Sequence, residues 1–182
     1  FVFEFANMVY PTLWAFWGRE VFAWNSFTIG VTLSAYGILI AAVQAGLLPQ
    51  LTKRLGDYKT LMFSSMASII ALIAFGFSTA AWAVAIVIPI AALSDMAPPL
   101  LTAVAANKVA DDQQGLVQGV IASLASVAAV VAPLILTSVF ERFVNNNGLY
   151  FPGAPFFVAA VLIIAIIPLI LCLNPRRVLS DE

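Results

Sequence analysis

Residues 83–105 read AVAIVIPIAALSDMAPPLLTAVA, a run in which Asp95 is the single charged side chain. As a helix rising 1.5 Å per residue it is about 35 Å long, enough to cross the ~30 Å hydrocarbon core of a bilayer. Near its middle an ionised carboxylate costs roughly 2.5–3.5 kcal/mol on insertion scales, so Asp95 has to face a cavity, a partner or a proton. Downstream, Pro98 and Pro99 have no N–H to offer the carbonyls of Ser94 and Asp95. With Pro89 they predict a kinked helix that presents polar backbone at mid-membrane, the wall of a wet pathway. Asp95 is therefore a candidate for binding a proton or contacting a substrate. The bland alternative is a static ion pair with a span outside this chain.

Five further apolar runs of similar length lie at about residues 1–18, 27–48, 60–79, 115–138 and 154–173. The breaks between runs carry turn and charge chemistry: Gly18-Arg19-Glu20, Lys53 to Asp57, Thr79-Ala80-Ala81, Asn107 to Gln114, Asn145-Asn146-Asn147-Gly148 and Asn174-Pro175. Across 182 residues, 63% are hydrophobic and 9% charged; soluble domains run at roughly 45–50% and about 25%. A soluble fold of this size still leaves about a third of its unfolded-chain surface in water, so the apolar content needs lipid as its solvent. The chain reads as an all-α polytopic membrane protein, six transmembrane helices in one unit over residues 1–182, with no room for a water-soluble domain.

Cations orient the spans. Lys53, Arg54, Lys59, Lys108, Arg176 and Arg177 fall on one side, and only Arg19 and Arg142 on the other, each beside a glutamate. The excess of Lys and Arg on cytoplasmic loops puts the first set, and both chain ends, in the cytoplasm. Trp14, Trp17, Trp24 and Trp82 then fall at the outer interface, where amphipathic rings anchor spans.

Several functions are excluded. A net charge of −1 offers nothing to nucleic acid. There is no histidine, and Cys172 is the only cysteine, so the usual proton shuttle, metal ligands and nucleophile–base pairs are missing. No metal, no organic cofactor and no enzymatic activity are expected; a proton is the one coupling ion the residues suggest. Phe1 already lies inside an apolar run without an initiator methionine, which reads as part of a longer chain.

Other candidates lie in the remaining spans. Glu4, Asn7 and Tyr10 follow one another at helical spacing along the first span, a polar stripe able to bind a proton or substrate, or a bland feature if Glu4 sits at the headgroups. Gln44 in the second span is a buried amide, for helix packing or for ligand. Gly30, Ser34 and Gly37 in the second span, and Gly115, Gly119 and Ser123 in the fifth, form small-residue faces on which helix backbones approach closely. Pro133 is expected to kink or loosen the fifth span.

The run from Trp14 to Ser26, with Gly30, Gly37 and Gln44-Ala45, resembles spans seven and eight of the major facilitator superfamily, in its drug:proton antiporter branch that includes tetracycline resistance efflux proteins. Gln113-Gln114-Gly115-Leu116-Val117-Gln118-Gly119, then Ser123, Ser126 and Ala132-Pro133-Leu134, resembles the branch's Gln-Gly-x-x-Gln-Gly segment with a later Gly-Pro-Leu, here with Ala132 for the glycine. The loop Pro49 to Lys59 resembles the cytoplasmic signature Gly-x-x-x-Asp-Arg-x-Gly-Arg-Arg: Arg54, Gly56 and Lys59 fit, Pro49 replaces the first glycine and Lys53 the acid. By the same resemblance, Ser68 stands where tetracycline exporters carry an acid, and Asp95 where they carry a small residue.

The resemblance implies the C-terminal half, spans seven to twelve, of a twelve-helix transporter in the bacterial inner membrane. Such a half consists of two inverted three-helix repeats with an N-terminal six-helix half as partner. The first and fourth spans, holding Glu4 and Asp95, would line the central cavity. Three functions stay open: proton-coupled efflux of a small drug-like or amphipathic solute by alternating access, facilitated transport or uptake of a small metabolite, and a non-transporting six-span packing or regulatory partner.

Overall fold

A computed structural model describes residues 1–145 and 149–172. The expected breaks at Asn146-Asn147-Gly148 and Asn174-Pro175, and the cations Arg176 and Arg177, lie outside the described residues. Those residues form helices α1 (Val2–Asn7), α2 (Val9–Phe22), α3 (Ser26–Ala42), α4 (Leu48–Leu55), α5 (Asp57–Phe77), α6 (Ala81–Ser94), α7 (Ala97–Ala106), α8 (Gln114–Val144) and α9 (Ala154–Cys172). Five helical stretches among them are long and apolar enough to cross a membrane: Ser26–Leu55, Asp57–Phe77, Ala81–Ala106, Gln114–Val144 and Ala154–Cys172. The protein is an all-α polytopic membrane protein.

Proline chemistry explains where helices divide. The stretch expected as the first span, 1–18, is helical from Val2 to Phe22 but interrupted at Met8, and so is not one of those five. Pro11 causes this, because it has no N–H for the Asn7 carbonyl and its ring crowds that oxygen. The second span, expected to end at residue 48, continues as helix to Leu55 through a widened π-helical turn, Val43–Leu47. Pro49 withholds an N–H from Ala45, and the wide turn passes the hydrogen-bonding one residue on, with Leu48 N–H reaching the Val43 carbonyl. The fourth span parts at Asp95 and Met96, between α6 and α7, just ahead of Pro98 and Pro99. Pro133, expected to kink or loosen the fifth span, lies inside α8, which is helical from Gln114 to Val144. One lost hydrogen bond in a 31-residue helix does not divide it, and Thr137 Oγ1 donates to the Pro133 carbonyl at 2.6 Å.

The core is built around α5, which buries Leu61, Ala71, Leu72 and Phe75 together with Thr60, Ser64, Ser65 and Ser68. Ser64 and Ser65 both donate to the Leu61 carbonyl, so their hydroxyls spend themselves on their own helix. Aromatic rings fill the space between α2, α5 and α9. Trp17 packs on Phe156 at 5.0 Å between centroids and Trp14 on Phe75 at 5.3 Å, both edge-on. The tryptophan expectation is corrected here: Trp14 and Trp17 are core residues, 4% and 1% exposed, and not interface anchors, whereas Trp82 is 71% exposed. Periodicity within an apolar helix cannot separate a ring facing lipid from one facing a neighbouring helix.

The close-packed glycines are also not the expected ones. A Cβ placed at Gly30, Gly37, Gly115 or Gly119 meets nothing within 4 Å, and Ser34 and Ser123 are exposed. The helix contact that these two small-residue faces predict is not made among the described residues. The tight crossing is between α5 and the start of α9, where a Cβ on Gly153 would lie 2.0 Å from the Gly76 carbonyl oxygen.

Gly56 joins α4 to α5 as a one-residue corner. Its N–H donates to the Thr52 carbonyl at 2.9 Å, and its own carbonyl accepts from Thr60 N–H at 3.1 Å. That double duty requires φ 80° and ψ 163°, a conformation nearly reserved for glycine. Since a Cβ there meets open space, Gly56→Ala is expected to cost about 1–3 kcal/mol through backbone strain alone. A lowered thermal midpoint in detergent, with an unchanged helical signal at low temperature, is the result that checks it.

Candidate functional site

Asp95 sits at the break in the fourth span, half-buried, and is held at two points by the second span. Tyr36 of α3 donates its hydroxyl to Asp95 Oδ2 at 2.5 Å. Gln44, in the π-helical turn, donates Nε2–H to the Asp95 backbone carbonyl at 3.0 Å. This is the carbonyl that Pro99 strips of its helical donor, so an amide from another helix takes the place of the missing N–H. The prolines create an acceptor, and the wide turn carries the donor that meets it.

A third polar bond fastens the same helix. Trp14 Nε1–H donates to Thr32 Oγ1 at 2.8 Å, and Thr32 in turn donates to the Ile29 carbonyl at 2.9 Å. Thr32, Tyr36 and Gln44 thus tie one side of the second span to the first and fourth. Of α3, only Ile29 is buried. Gly30, Ser34 and Gly37 are exposed, and Gly30 and Ser34 line a shallow groove with Phe27 and Ile38.

Tyr10 and Asn7 are polar groups without an assigned partner. Tyr10 is 5% exposed; its ring lies 5.7 Å from that of Tyr36 and 5.9 Å from that of Phe75. Its hydroxyl, like Asn7 Oδ1, is buried with no hydrogen-bond partner among the described residues. The interruption at Met8 falls between Asn7 and Tyr10, so the expected stripe of Glu4, Asn7 and Tyr10 is not carried by one continuous helix. Glu4 lies elsewhere, in a cleft of about 260 Å³ between the first, fourth and fifth spans, with Pro98, Thr102 and Ile121 among its walls.

Asp95 and Gln44 are therefore brought together, Glu4 is placed nearby in a separate cleft, and Tyr36 is a site residue that sequence reading missed. A depth calculation finds it. Tyr36 is ten residues from the start of α3, about 15 Å, and Asp95 is fourteen from the start of α6, about 21 Å, so the two lie within a helical turn or so of the same depth. Among the described residues no group of three or more His, Cys, Asp or Glu could hold a metal ion.

No family model matches the chain. A class C tetracycline resistance protein of Escherichia coli is 30% identical over 150 residues, which is 82% of this chain and 38% of that protein. A class G tetracycline resistance protein of Vibrio anguillarum is 28% identical over 170 residues, 93% of this chain and 42% of that protein. The chain is a relative of the tetracycline resistance proteins. A human protein, hippocampus abundant transcript-like protein 1, is 26% identical over 161 residues, 80% of this chain and 32% of its own length. The chain thus spans about two fifths of the length of the bacterial relatives it matches.

Two features inferred from the likeness to tetracycline resistance proteins acquire a physical setting. Ser68, standing where the resemblance places an acid, is fully buried on α5 and its Oγ has no hydrogen-bond partner among the described residues. In the signature-like loop, Arg54 ends α4, Gly56 makes the corner and Lys59 stands in the first turn of α5, all three exposed. The segment is a helix–glycine–helix corner and not an extended loop.

Proposed function

We propose that this chain is the C-terminal, six-span half of a major facilitator transporter that exports a small amphipathic, drug-like solute in exchange for protons. The observation that carries the reading is an intramembrane acid, Asp95, at a proline-made helix break, held by two side chains of a different span. A carboxylate in that setting gains or loses a charge-assisted hydrogen bond as its proton comes and goes, which links proton binding to helix position. Kinship with tetracycline resistance proteins supports a transporter. Both chain ends lie in the cytoplasm in this reading, with Lys53, Arg54, Lys59 and Lys108 on that side.

The partner is the N-terminal six-helix half of the same protein. On α8 the buried stripe Ala128, Ala132, Leu136 and Phe140 packs inward, and Gly119 is nine residues from Ala128, about 180° away around the helix. On α3 the bonded side carries Thr32 and Tyr36, whereas Gly30 and Gly37 point away. The open glycine faces of the second and fifth spans are where the missing half docks.

The test uses the full-length protein in proteoliposomes with an imposed pH gradient and a panel of amphiphilic solutes including tetracycline. Accumulation that collapses with the gradient is the expected result. Movement indifferent to the gradient turns the reading to a metabolite facilitator, and no movement of any solute removes the exporter reading. Residues 1–182 expressed alone are expected to move nothing, because alternating access needs both walls of the cavity.

A further inference from the structure

We infer that Tyr36 and Gln44 are positioning residues: together they form a two-point latch that holds the second span against the break in the fourth, and proton uptake by Asp95 opens it. The inference rests on the reading of Asp95 as the acid that takes up the proton. One bond goes to the carboxylate, at 2.5 Å, and the other to the backbone carbonyl of the same residue, at 3.0 Å, so both anchors depend on where Asp95 sits. The latch matters because α3 buries only Ile29, and its further side-chain ties to another helix among the described residues are Trp14 to Thr32 and the long, exposed contact of Arg19 with Ser26.

The chemistry gives the latch its direction. With Asp95 ionised, the Tyr36 hydroxyl donates to a full negative charge, a bond roughly twice as strong as a neutral one. A proton on the carboxyl removes that charge; the atoms remain bonded only as neutral partners, and the helix held by them loosens. The Gln44 bond lies on the wide π-helical turn, where the helix departs from regular hydrogen-bonding. Among the described residues, the titratable groups around Asp95 are Tyr36 on α3, bonded to it, Tyr10 on α2, packed on the Tyr36 ring, and Glu4 on α1, in the cleft that Pro98 also lines. A Glu4→Gln background separates its contribution.

The experiment is a spin-label distance measurement on the full-length protein in lipid, with Cys172→Ser removing the native thiol and labelled cysteines at Gln50 and Lys108. Gln50 is exposed on α4, the last part of the second span, and Lys108 is exposed just beyond α7, the end of the fourth. In otherwise native and Glu4→Gln protein, the distance is expected to shift by at least about 2 Å between pH 8 and pH 5. Asp95→Asn is expected to show the pH 5 distance at both values. Tyr36→Phe, which keeps the ring packed on Tyr10 and removes only the hydroxyl, is expected to move the pH 8 distance toward the pH 5 one, and Gln44→Ala to do the same. Native distances equal at both pH values overturn the latch, as does a native pH 8 distance in both Tyr36→Phe and Gln44→Ala. Loss of the shift in Glu4→Gln alone assigns the switch to Glu4 and overturns it too. The readout needs no substrate: gradient-driven transport without a distance change defeats the latch alone, and a distance change without transport defeats the exporter reading alone.

Discussion

Asp95→Asn in the full-length protein is expected to abolish uphill export while leaving the fold intact. One pH unit across the membrane is worth about 1.4 kcal/mol per proton, which at one proton per solute sustains at most about tenfold accumulation. An amide cannot take up or release that proton, so the accumulation ratio should fall to about one, and only downhill exchange should survive. The fold survives because Asn is nearly isosteric with Asp, its Oδ1 still accepts from the Tyr36 hydroxyl, and the backbone carbonyl bonded to Gln44 is untouched. Removing a charge from mid-membrane also removes an insertion cost of roughly 2.5–3.5 kcal/mol, so thermal stability in detergent should hold or rise. Retained uphill accumulation in the variant removes Asp95 from the coupling path.

Gly153→Ala is expected to be the most damaging single-methyl change in the described residues. The added Cβ would stand 2.0 Å from the Gly76 carbonyl oxygen, 2.7 Å from its carbonyl carbon and 2.8 Å from its Cα, all backbone atoms. No rotamer change relieves such a contact. Helices α5 and α9 have to separate by about 1 Å, which loosens the ring packing of Phe75 on Phe156 and of Phe77 on Phe157 across the same crossing. A cost of about 3 kcal/mol or more is expected, at the upper end of overpacking effects, read as loss of folded protein in a thermal melt. Gly76→Ala meets the Phe157 ring at 2.3 Å, a side chain, and should be milder. Gly30→Ala and Gly119→Ala meet nothing within 4 Å among the described residues; a loss they cause in the full-length protein is the result expected if the other half docks there.

These glycines show what spacing alone leaves undecided. Gly30 and Gly37, or Gly115 and Gly119, look like packing motifs because small residues recur along one helix face. Gly76 lies in α5 and Gly153 in the turn just before α9, 77 positions apart, and no local pattern joins them. Tyr36 was passed over for a similar reason, since in an apolar run a tyrosine reads as one more large ring until Asp95 is found beside its hydroxyl. Gln44 was visible as an unusual amide, but its acceptor, a backbone carbonyl freed by a proline on another span, was not.

The amino-acid sequence by itself determined that this protein lives in a bilayer, roughly where its apolar runs fall, that Asp95 is an acid out of place, and where the fourth span breaks. It also carried the likeness to tetracycline resistance proteins. All of these follow from local chemistry: the length of apolar runs, the charge on one residue, the missing N–H of proline, and short motifs. Only the tertiary structure decided which side of each helix meets which neighbour, and hence that Trp14 and Trp17 are core, that two glycine faces stay open, and that Tyr36 and Gln44 converge on Asp95. Helices α3, α6 and α8 are apolar around most of their circumference, so no polar face marks their rotation. That rotation is set by the packing of rings, glycines and a few buried hydrogen bonds between residues distant in the chain.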